Sequence, residues 1–355
     1  MATGRQRRGA TALALLVALV VVLAQGSARA SSDDDYPTFW VGSYDTDLGR
    51  ATDIWFDAFD LEFGAAPERI TFTTPAAYRT SPIKSVGTQI GEASVYVKPA
   101  GGGAEKTLDG HLVVTDVASF AADEDAQACA PGAHAATWRL MVKGGSTSLK
   151  LPVAVDRSGG GYRLTVCLAS VGALRMKTNE VYFETTGVFR NPTHAGLFRF
   201  GAIVTPPAAG GGPDRTKAYE LRADEPLPQT LTAEAKFDVT TKALTITGAS
   251  RAAGHARSNI NVHVYGGEST DGSRMKELGV AVTSGNGGYL FTKKIVAVAP
   301  KYVYAFVRHY TSRNCDLPAA SPGGCAAEST DGTASYTAKV ASNAPQVVPV
   351  IPKHK

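Results

Sequence analysis

The stretch CAPGAHAATWRL places a cysteine, a histidine and a tryptophan within a dozen residues. Cys129 with His134 could supply the thiolate and the base of a thiol protease, or two ligands of a metal ion. Haem attachment needs Cys-x-x-Cys-His, which is absent, and a zinc site needs further Cys or His residues clustered nearby, which are also absent. We therefore predict that Cys129 forms a disulfide, that His134 lies in a turn or at a strand edge, and that Trp138 lies in the core.

The chain has four cysteines, an even number that indicates two disulfides in an exported protein. One bridge in each half of the chain would pair Cys129 with Cys167 and Cys315 with Cys325. The other two pairings would join the two halves and stay open as alternatives.

Carboxylates alternate with aromatic residues in IWFDAFDLEF. A glycosidase needs two carboxylates about 5–10 Å apart in a cleft, and Asp57, Asp60 and Glu62 could supply them. The alternative, which we favour, is a solvated strand face on the side opposite Trp55, Phe59 and Phe63.

A second set of carboxylates, Asp45, Asp47 and Asp53, is a candidate for a loose calcium site. YDTDLG begins like an EF-hand loop, but its glycine comes one position early and the twelfth position is Phe56, where a glutamate is needed. The sequence has no phosphate loop, no His-Glu-x-x-His pair and no Gly-x-Ser-x-Gly elbow. We expect no cofactor and, apart from this calcium candidate, no metal.

The run KYVYAFVRHYT could form a binding strand. In a regular strand Tyr302, Tyr304, Phe306, Arg308 and Tyr310 share one face, where rings and a guanidinium can stack on sugars or on an aromatic partner. The intervening residues are also apolar, so either face could be the buried one. We favour the interpretation in which the rings form core, and keep the binding face as the alternative.

The elements that must position these residues are predicted to be strands. Short runs alternate apolar and polar residues between Gly, Pro, Asn and Asp, for example TWRLMVK, YRLTVCL, ALTITGAS and INVHVYGG. No stretch after residue 30 shows a helical stripe with a cap at its start. We predict an all-β protein of two antiparallel, immunoglobulin-like β-sandwich domains.

The run TSGNGGYLF, residues 283–291, contains an Asn-Gly pair suited to a two-residue hairpin. It resembles the hairpin of bacterial immunoglobulin-like and carboxypeptidase regulatory-like modules, although Asn286 and Gly288 depart from the usual pattern. This resemblance covers about 244–340 and implies a seven-strand-type sandwich for adhesion, spacing or carbohydrate contact. IGEASVYV, CAPGAHAATW, LPVAVD and AIVTP make the first half similar to a group of secreted bacterial proteins of uncharacterised function.

The first thirty residues have the pattern of a cleaved signal peptide. Arg5, Arg7 and Arg8 precede an apolar run of thirteen residues, too short to span a membrane, and small residues stand at Ala28 and Ala30. General secretion is favoured over twin-arginine export. Without residues 1–30 the acidic and basic side chains balance, so the charge does not indicate nucleic-acid binding.

Proline and glycine in TPPAAGGGPD predict an exposed linker. The predicted organisation is a signal peptide at 1–30, a sandwich at 31–205, a linker at 206–215, a second sandwich at 216–342 and a flexible tail at 343–355. We expect a secreted, non-enzymatic protein of the extracellular space or cell envelope that binds a cell-wall polysaccharide or a surface protein, with no integral membrane segment. The alternatives are an envelope polysaccharide or peptidoglycan hydrolase and a structural spacer without a ligand.

Overall fold

The computed structural model describes most of the chain after residue 36. The described residues are 37–61, 66–82, 84–268, 275–296 and 298–307, with the backbone of short strands at 313–314, 326–327, 334–339 and 341–342. The predicted signal peptide at 1–30 and tail at 343–355 lie outside them. No helix in this described part is long and apolar enough to cross a membrane.

The strands before residue 228 hydrogen-bond into one continuous antiparallel sheet. Their bounds are β1 Thr38–Ser43, β2 Ala51–Phe59, β3 Arg69–Thr73, β4 Arg79–Thr80, β5 Gln89–Pro99, β6 Lys106–Thr115, β7 Ala136–Gly144, β8 Thr147–Ser158, β9 Gly161–Cys167, β10 Met176–Arg190, β11 Gly196–Thr205 and β12 Tyr219–Leu227. The order is β1-β2-β10-β5-β6-β7-β8-β9-β3-β11-β12, and β4 pairs with β10.

Alternating side chains fill the core of this first sheet. Strand β2 buries Ile54, Phe56 and Ala58 and leaves the intervening residues on its outer face. The Phe56 ring lies 5.6 Å from Phe72 of β3 and 6.0 Å from Phe200 of β11, although both strands stand far from β2 in the sheet order. The two ends of the sheet therefore face each other across a shared core. Burial of each phenylalanine contributes about 1.5–3 kcal/mol relative to exposure.

The predicted linker at 206–215 is wrong. The strands on its two sides, β11 and β12, pair along their whole length from Gly196↔Leu227 to Val204↔Tyr219, so the Pro/Gly stretch is a loop within one sheet. Proline and glycine mark a change of chain direction, but they do not show whether the flanking strands separate. The first hydrophobic core extends to Leu227 and the second begins at Leu231. The described residues from 37 onward belong to one compact unit.

The strands after Leu227 form two smaller sheets. Their bounds are β13 Gln229–Leu231, β14 Glu234–Asp238, β15 Ala243–Ala252, β16 His255–Ala256, β17 Asn261–Gly267, β18 Lys276–Val282, β19 Gly288–Lys294, β20 Tyr302–Val307, β21 Arg313–Asn314, β22 Ala326–Ala327, β23 Ala334–Lys339 and β24 Ala341–Ser342. One sheet has the order β13-β15-β14-β24, in which β16 and β19 also pair with β15 and β24 is parallel to β14; the other has the order β18-β17-β20-β23. Strands β21 and β22 extend the first sheet beyond β12.

The second core lies between these two smaller sheets. Leu244 and Ile246 of β15 are completely buried, as are Val262 and Val264 of β17 and Val303 of β20. Two sheets packed face to face over a shared apolar core form a β-sandwich. The predicted fold class, all-β with antiparallel sandwich packing, is confirmed.

The predicted hairpin in TSGNGGYLF is wrong. Strand β18 before the turn pairs with β17, whereas β19 after it pairs with β15, so the chain passes from one sheet to the other. Gly287 adopts φ +80°, and the Asn286 side chain accepts a hydrogen bond from the Gly288 N–H at 2.9 Å. The Asn-Gly pair thus marks a tight turn but not the pairing of the flanking strands.

Three short helices interrupt the first sheet, two of them with caps that the sequence analysis did not find. They are α1 Val117–Ala121, α2 Glu124–Cys129 and α3 Ala169–Ala173. Asp116 and Asp123 accept hydrogen bonds from backbone N–H groups and cap α1 and α2. Helices this short cannot show a repeating apolar stripe, so the pattern search missed them.

Candidate binding surfaces

The outer side of the four-stranded sheet carries four aromatic side chains, Tyr265, Tyr302, Tyr304 and Phe306, which we call the aromatic face. All four are half-buried. Tyr265 of β17 stands opposite Tyr304 of β20 in register. The other residues of β20, Val303, Ala305 and Val307, are completely buried and fill the sandwich core. The period of two in a strand therefore places the rings on the solvent side.

Three rings of the aromatic face lie close to one another. The centroids of Tyr304 and Phe306 are 6.2 Å apart with ring planes within 18°, and those of Tyr265 and Tyr304 are 6.1 Å apart. The exposed Val280, 44% accessible, and Val282, 53% accessible, lie on the neighbouring strand β18. A run of half-exposed rings with apolar neighbours offers flat surfaces for stacking.

The favoured interpretation of this strand, that its rings form core, is wrong. Val303, Ala305 and Val307 are completely buried, and the three rings of β20 point the other way. Six consecutive apolar residues carry no signal for which face is buried. The sequence analysis also missed Tyr265, whose alternation with buried valines in INVHVYGG could have revealed it. Arg308 and Tyr310 lie outside the described residues, as do Cys315 and Cys325.

A second outer face, on the first sheet, combines rings with carboxylates. Trp40, Asp57 and Tyr182 stand in one row across β1, β2 and β10, and Phe59 and Glu180 lie two positions from Asp57 and Tyr182 along β2 and β10. We call these five residues the acidic face. The Trp40 and Phe59 rings meet edge to face, with centroids 4.5 Å apart and planes at 69°.

Burial raises the pKa values of two carboxyls on the acidic face. Removal from water is the largest cause for Asp57, and the charges of Glu180 and Asp60 add to it, so its pKa rises from 3.8 to about 8. The pKa of Glu180 rises from 4.5 to about 7, mainly through burial and then through the charges of Glu105 and Asp60. One carboxylate oxygen of Asp57, Oδ1, is buried without a hydrogen-bond partner. Asp57 therefore retains its proton at neutral pH.

The interpretation of IWFDAFDLEF needs a correction. Trp55, Asp57 and Phe59 occupy alternate positions of β2 and share its outer face, so the carboxylate does not lie opposite the rings. Asp60 follows the strand with φ +55°, and Glu62 lies outside the described residues. The sequence analysis missed Glu180 and Tyr182, which the alternation of polar and apolar residues in NEVYFE could have indicated.

The calcium candidate is not supported by the structure. The described residues contain no group of three or more potential ligands that could hold a metal ion. Asp45 Oδ1 accepts the backbone N–H of Asp47 at 2.8 Å, and Asp53 Oδ1 accepts the N–H of Gly187 at 2.9 Å. These carboxylates stabilise local backbone.

The stretch around Cys129 forms a structural clamp, as predicted. A disulfide joins Cys129 at the end of α2 to Cys167 at the end of β9. His134 is nearly buried; its Nδ1 lies 2.9 Å from Asp156 Oδ1 and its Nε2 lies 3.0 Å from the Ala130 carbonyl oxygen. Trp138 is completely buried and donates its indole N–H to the Pro82 carbonyl.

No family model matches the chain, and no curated protein matches it. Solved structures with some similarity include three bacterial pilins. The backbone pilin of Streptococcus pyogenes is 11% identical, with 85% of this chain and 52% of that chain covered and a TM-score of 0.25. The major pilin BcpA of Bacillus cereus is 9% identical, with coverages of 83% and 66% and a TM-score of 0.24.

The full-length major pilin SpaD of Corynebacterium diphtheriae is 10% identical, with 80% of this chain and 56% of that chain covered and a TM-score of 0.25. The chain therefore spans between about half and two thirds of the length of these three proteins. At TM-scores this low the likenesses carry no argument about the function of this chain.

Proposed function

We propose that the protein is a secreted, non-enzymatic binding protein of the cell envelope that contacts a cell-wall polysaccharide through the aromatic face. The observation that supports this is the orientation of β20. Its small residues, Val303, Ala305 and Val307, fill the core, while the larger rings of Tyr304 and Phe306 remain half-exposed. Large rings left at a surface by a strand that could have buried them are suited to stacking on sugar rings.

Neutral stacking fits the surroundings of the aromatic face. Two polar pairs among the described residues lie near these rings: His263 Nδ1 and Glu277 Oε1 are 3.4 Å apart, and Lys301 Nζ and Glu268 Oε2, beside Tyr302, are 2.7 Å apart. All four side chains are at least one third exposed, so these pairs contribute little to stability or to long-range attraction. Binding through the rings should therefore persist at high salt, because salt screens charges but does not weaken apolar contacts.

The test is co-sedimentation of residues 31–355 with purified cell wall and insoluble polysaccharides at low and high salt. We expect salt-resistant pelleting that Tyr304→Ala reduces by about ten-fold, since stacking on one ring is worth about 1–3 kcal/mol. Leu290→Ala is the matched control, because Leu290 is 64% exposed on the other sheet of the same sandwich. Absence of pelleting, or equal loss in both variants, would reject the proposal.

A hydrolase acting on envelope polysaccharide is the second candidate. It is supported by Asp57, which retains its proton at neutral pH beside a second carboxyl, Glu180. A protonated carboxyl near another carboxylate can act as the general acid of a glycosidase. Release of reducing sugar by the wild type, abolished in Asp57→Asn and Glu180→Gln, would support this activity. Absence of turnover with folded protein would reject it.

A further inference from the structure

A cavity of about 450 Å³ opens between the chain around β4 and the β8–β9 hairpin. It lies away from both outer faces described above. Its lining includes Tyr78, Arg79, Thr80, Arg157 and Tyr162. This volume falls within the range of small-molecule sites, about 300–1,000 Å³.

The two walls of the cavity are tied together by backbone contacts. The Thr74 N–H donates to the Tyr162 carbonyl at 2.9 Å, and the Tyr162 N–H donates to Thr74 Oγ1 at 2.9 Å. The glycines at the hairpin tip allow this approach, because a Cβ on Gly161 would stand 2.1 Å from the Thr74 carbonyl oxygen. The backbone of the two walls is therefore held together before any ligand binds.

The charge of the lining is positive. Arg79 and Arg157 are exposed, and within the described part of the chain neither guanidinium has a hydrogen bond or an ion pair. The described lining contains no carboxylate. Arg190 stands opposite Arg79 in register and adds a third cation to this side of the sheet.

The nearest buried carboxylate does not neutralise these arginines. Glu225 is completely buried; one oxygen accepts the Ser43 N–H at 2.7 Å and the other accepts the Tyr78 hydroxyl. Burial and the neighbouring Glu225 raise the pKa of Tyr78 well above its usual value, so the hydroxyl remains a donor. The Tyr78 ring thus separates Glu225 from the cavity, and the arginines are left for a ligand.

We propose that this cavity binds an anionic group, a phosphate or a carboxylate, held between the guanidinium groups of Arg79 and Arg157. A guanidinium presents two parallel N–H donors that match the oxygens of either group. The proposal does not depend on the aromatic face. An anionic envelope polymer could occupy the cavity whether or not the rings of β20 bind sugar.

The chain offers a matched control for the test. Arg157 pairs with Tyr162 across the β8–β9 hairpin, and the adjacent pair is Asp156 with Arg163. Adjacent pairs of an antiparallel hairpin point to opposite faces, so Arg163 is exposed on the side away from the cavity. Arg163→Gln therefore removes the same charge from the same hairpin without changing the lining.

The experiment measures the heat of binding of polyphosphate and of polygalacturonate to residues 31–355 at low salt. We expect at least one polymer to bind, with an affinity that Arg79→Gln and Arg157→Gln each reduce about ten-fold or more and that Arg163→Gln changes less than two-fold. Binding of only one polymer would identify the group as phosphate or as carboxylate.

Three results would overturn the proposal. They are no binding of either polymer, unchanged binding in Arg79→Gln and Arg157→Gln, and an equal loss in Arg163→Gln, which would indicate attraction to general positive charge. All three arginines are exposed, so thermal unfolding should show each variant to be as stable as the wild type. Pelleting with neutral polysaccharide should also be unchanged in all three, which separates this test from that of the aromatic face.

Discussion

The acidic face and the aromatic face are both outer sides of antiparallel sheets, and both carry rings at alternate strand positions. On the acidic face the rings stand beside carboxyls that lose water, so the pKa values of Asp57 and Glu180 rise to about 8 and about 7. On the aromatic face Tyr304 has a ring, Tyr265, as its cross-strand neighbour, and Phe306 has His263, whose Nδ1 lies 3.4 Å from Glu277 Oε1 at the exposed surface. The side chains on the neighbouring strands therefore determine whether a row of rings encloses ionisable groups or remains an apolar surface.

This difference has consequences for energy as well as for binding. A carboxyl enclosed by rings costs stability whenever it ionises, so the acidic face makes folding depend on pH. A row of half-exposed rings carries no such cost, but it leaves apolar surface in water that a ligand could cover. The acidic face thus makes stability depend on pH, and the aromatic face is available for stacking.

The largest expected effect is the difference in the free energy of unfolding between substitutions on the buried side and on the aromatic face of β20. Ala305→Asp places an unpaired charge in the second core and should reduce the free energy of unfolding by at least about 4 kcal/mol. Tyr304→Ser, one residue away on the aromatic face, should cost less than about 1 kcal/mol, because the ring is half-exposed. Urea unfolding of both variants measures this. Equal destabilisation by the two substitutions would mean that the rings of β20 are part of the core.

The next effect is the pH dependence of stability caused by the acidic face. The folded-state pKa values of Asp57 and Glu180 are raised to about 8 and about 7, from 3.8 and 4.5. At pH values between the unfolded-state and the folded-state pKa, each carboxyl keeps its proton in the folded protein but has lost it in the unfolded chain. The free energy of unfolding should therefore fall as pH rises from about 4 to about 8, by up to about 1.4 kcal/mol per pH unit for Asp57 and by less for Glu180, whose partial exposure to solvent screens its charge.

Asp57→Asn tests this pH dependence directly. The variant should be more stable than the wild type at pH 8 and should lose stability less steeply between pH 5 and pH 8. Asp109→Asn is the control, because Asp109 lies on the same side of the sheet but is exposed and accepts a hydrogen bond from Ser94. A wild-type curve that rises with pH across this range would contradict the environment described for Asp57.

Much of the fold was predictable because strand alternation is a local property. TWRLMVK lies within β7 Ala136–Gly144, and YRLTVCL overlaps β9 Gly161–Cys167. The Cys129–Cys167 bridge also followed from local reasoning, since one disulfide per half leaves a single partner. In each case residues close together in the sequence, or a simple count of cysteines, were sufficient for the prediction.

What could not be predicted depends on contacts between segments distant in sequence. The Pro/Gly stretch after Thr205 marks a turn, but only the pairing of β11 with β12 shows that both strands belong to one sheet. In the same way, β20 has apolar residues on both sides. Val262 and Val264 from the neighbouring strand β17 show which side faces the core. The cavity at Arg79 and Arg157 joins chain segments almost eighty residues apart, so no local motif contains it.

The smallest expected effect compares the ring pairs of the two faces. Trp40 and Phe59 meet edge to face at 4.5 Å across two strands, whereas Tyr304 and Phe306 lie at 6.2 Å along one strand with nearly parallel planes. Edge-to-face pairs contribute about 0.5–1.5 kcal/mol beyond the area they bury. The centroids of Tyr304 and Phe306 are farther apart, so their coupling should be weaker, below about 0.5 kcal/mol.

Double-mutant cycles, in which the two rings of each pair are replaced by leucine singly and together, measure both coupling energies from urea unfolding. Leucine keeps apolar volume at each position, so that each cycle isolates the contact between the rings. A larger coupling for Trp40 with Phe59 would mean that those rings already satisfy each other, while the rings of Tyr304 and Phe306 keep their faces for a ligand. Equal couplings would remove the distinction between the two faces, and a sugar would then have no reason to prefer the aromatic face.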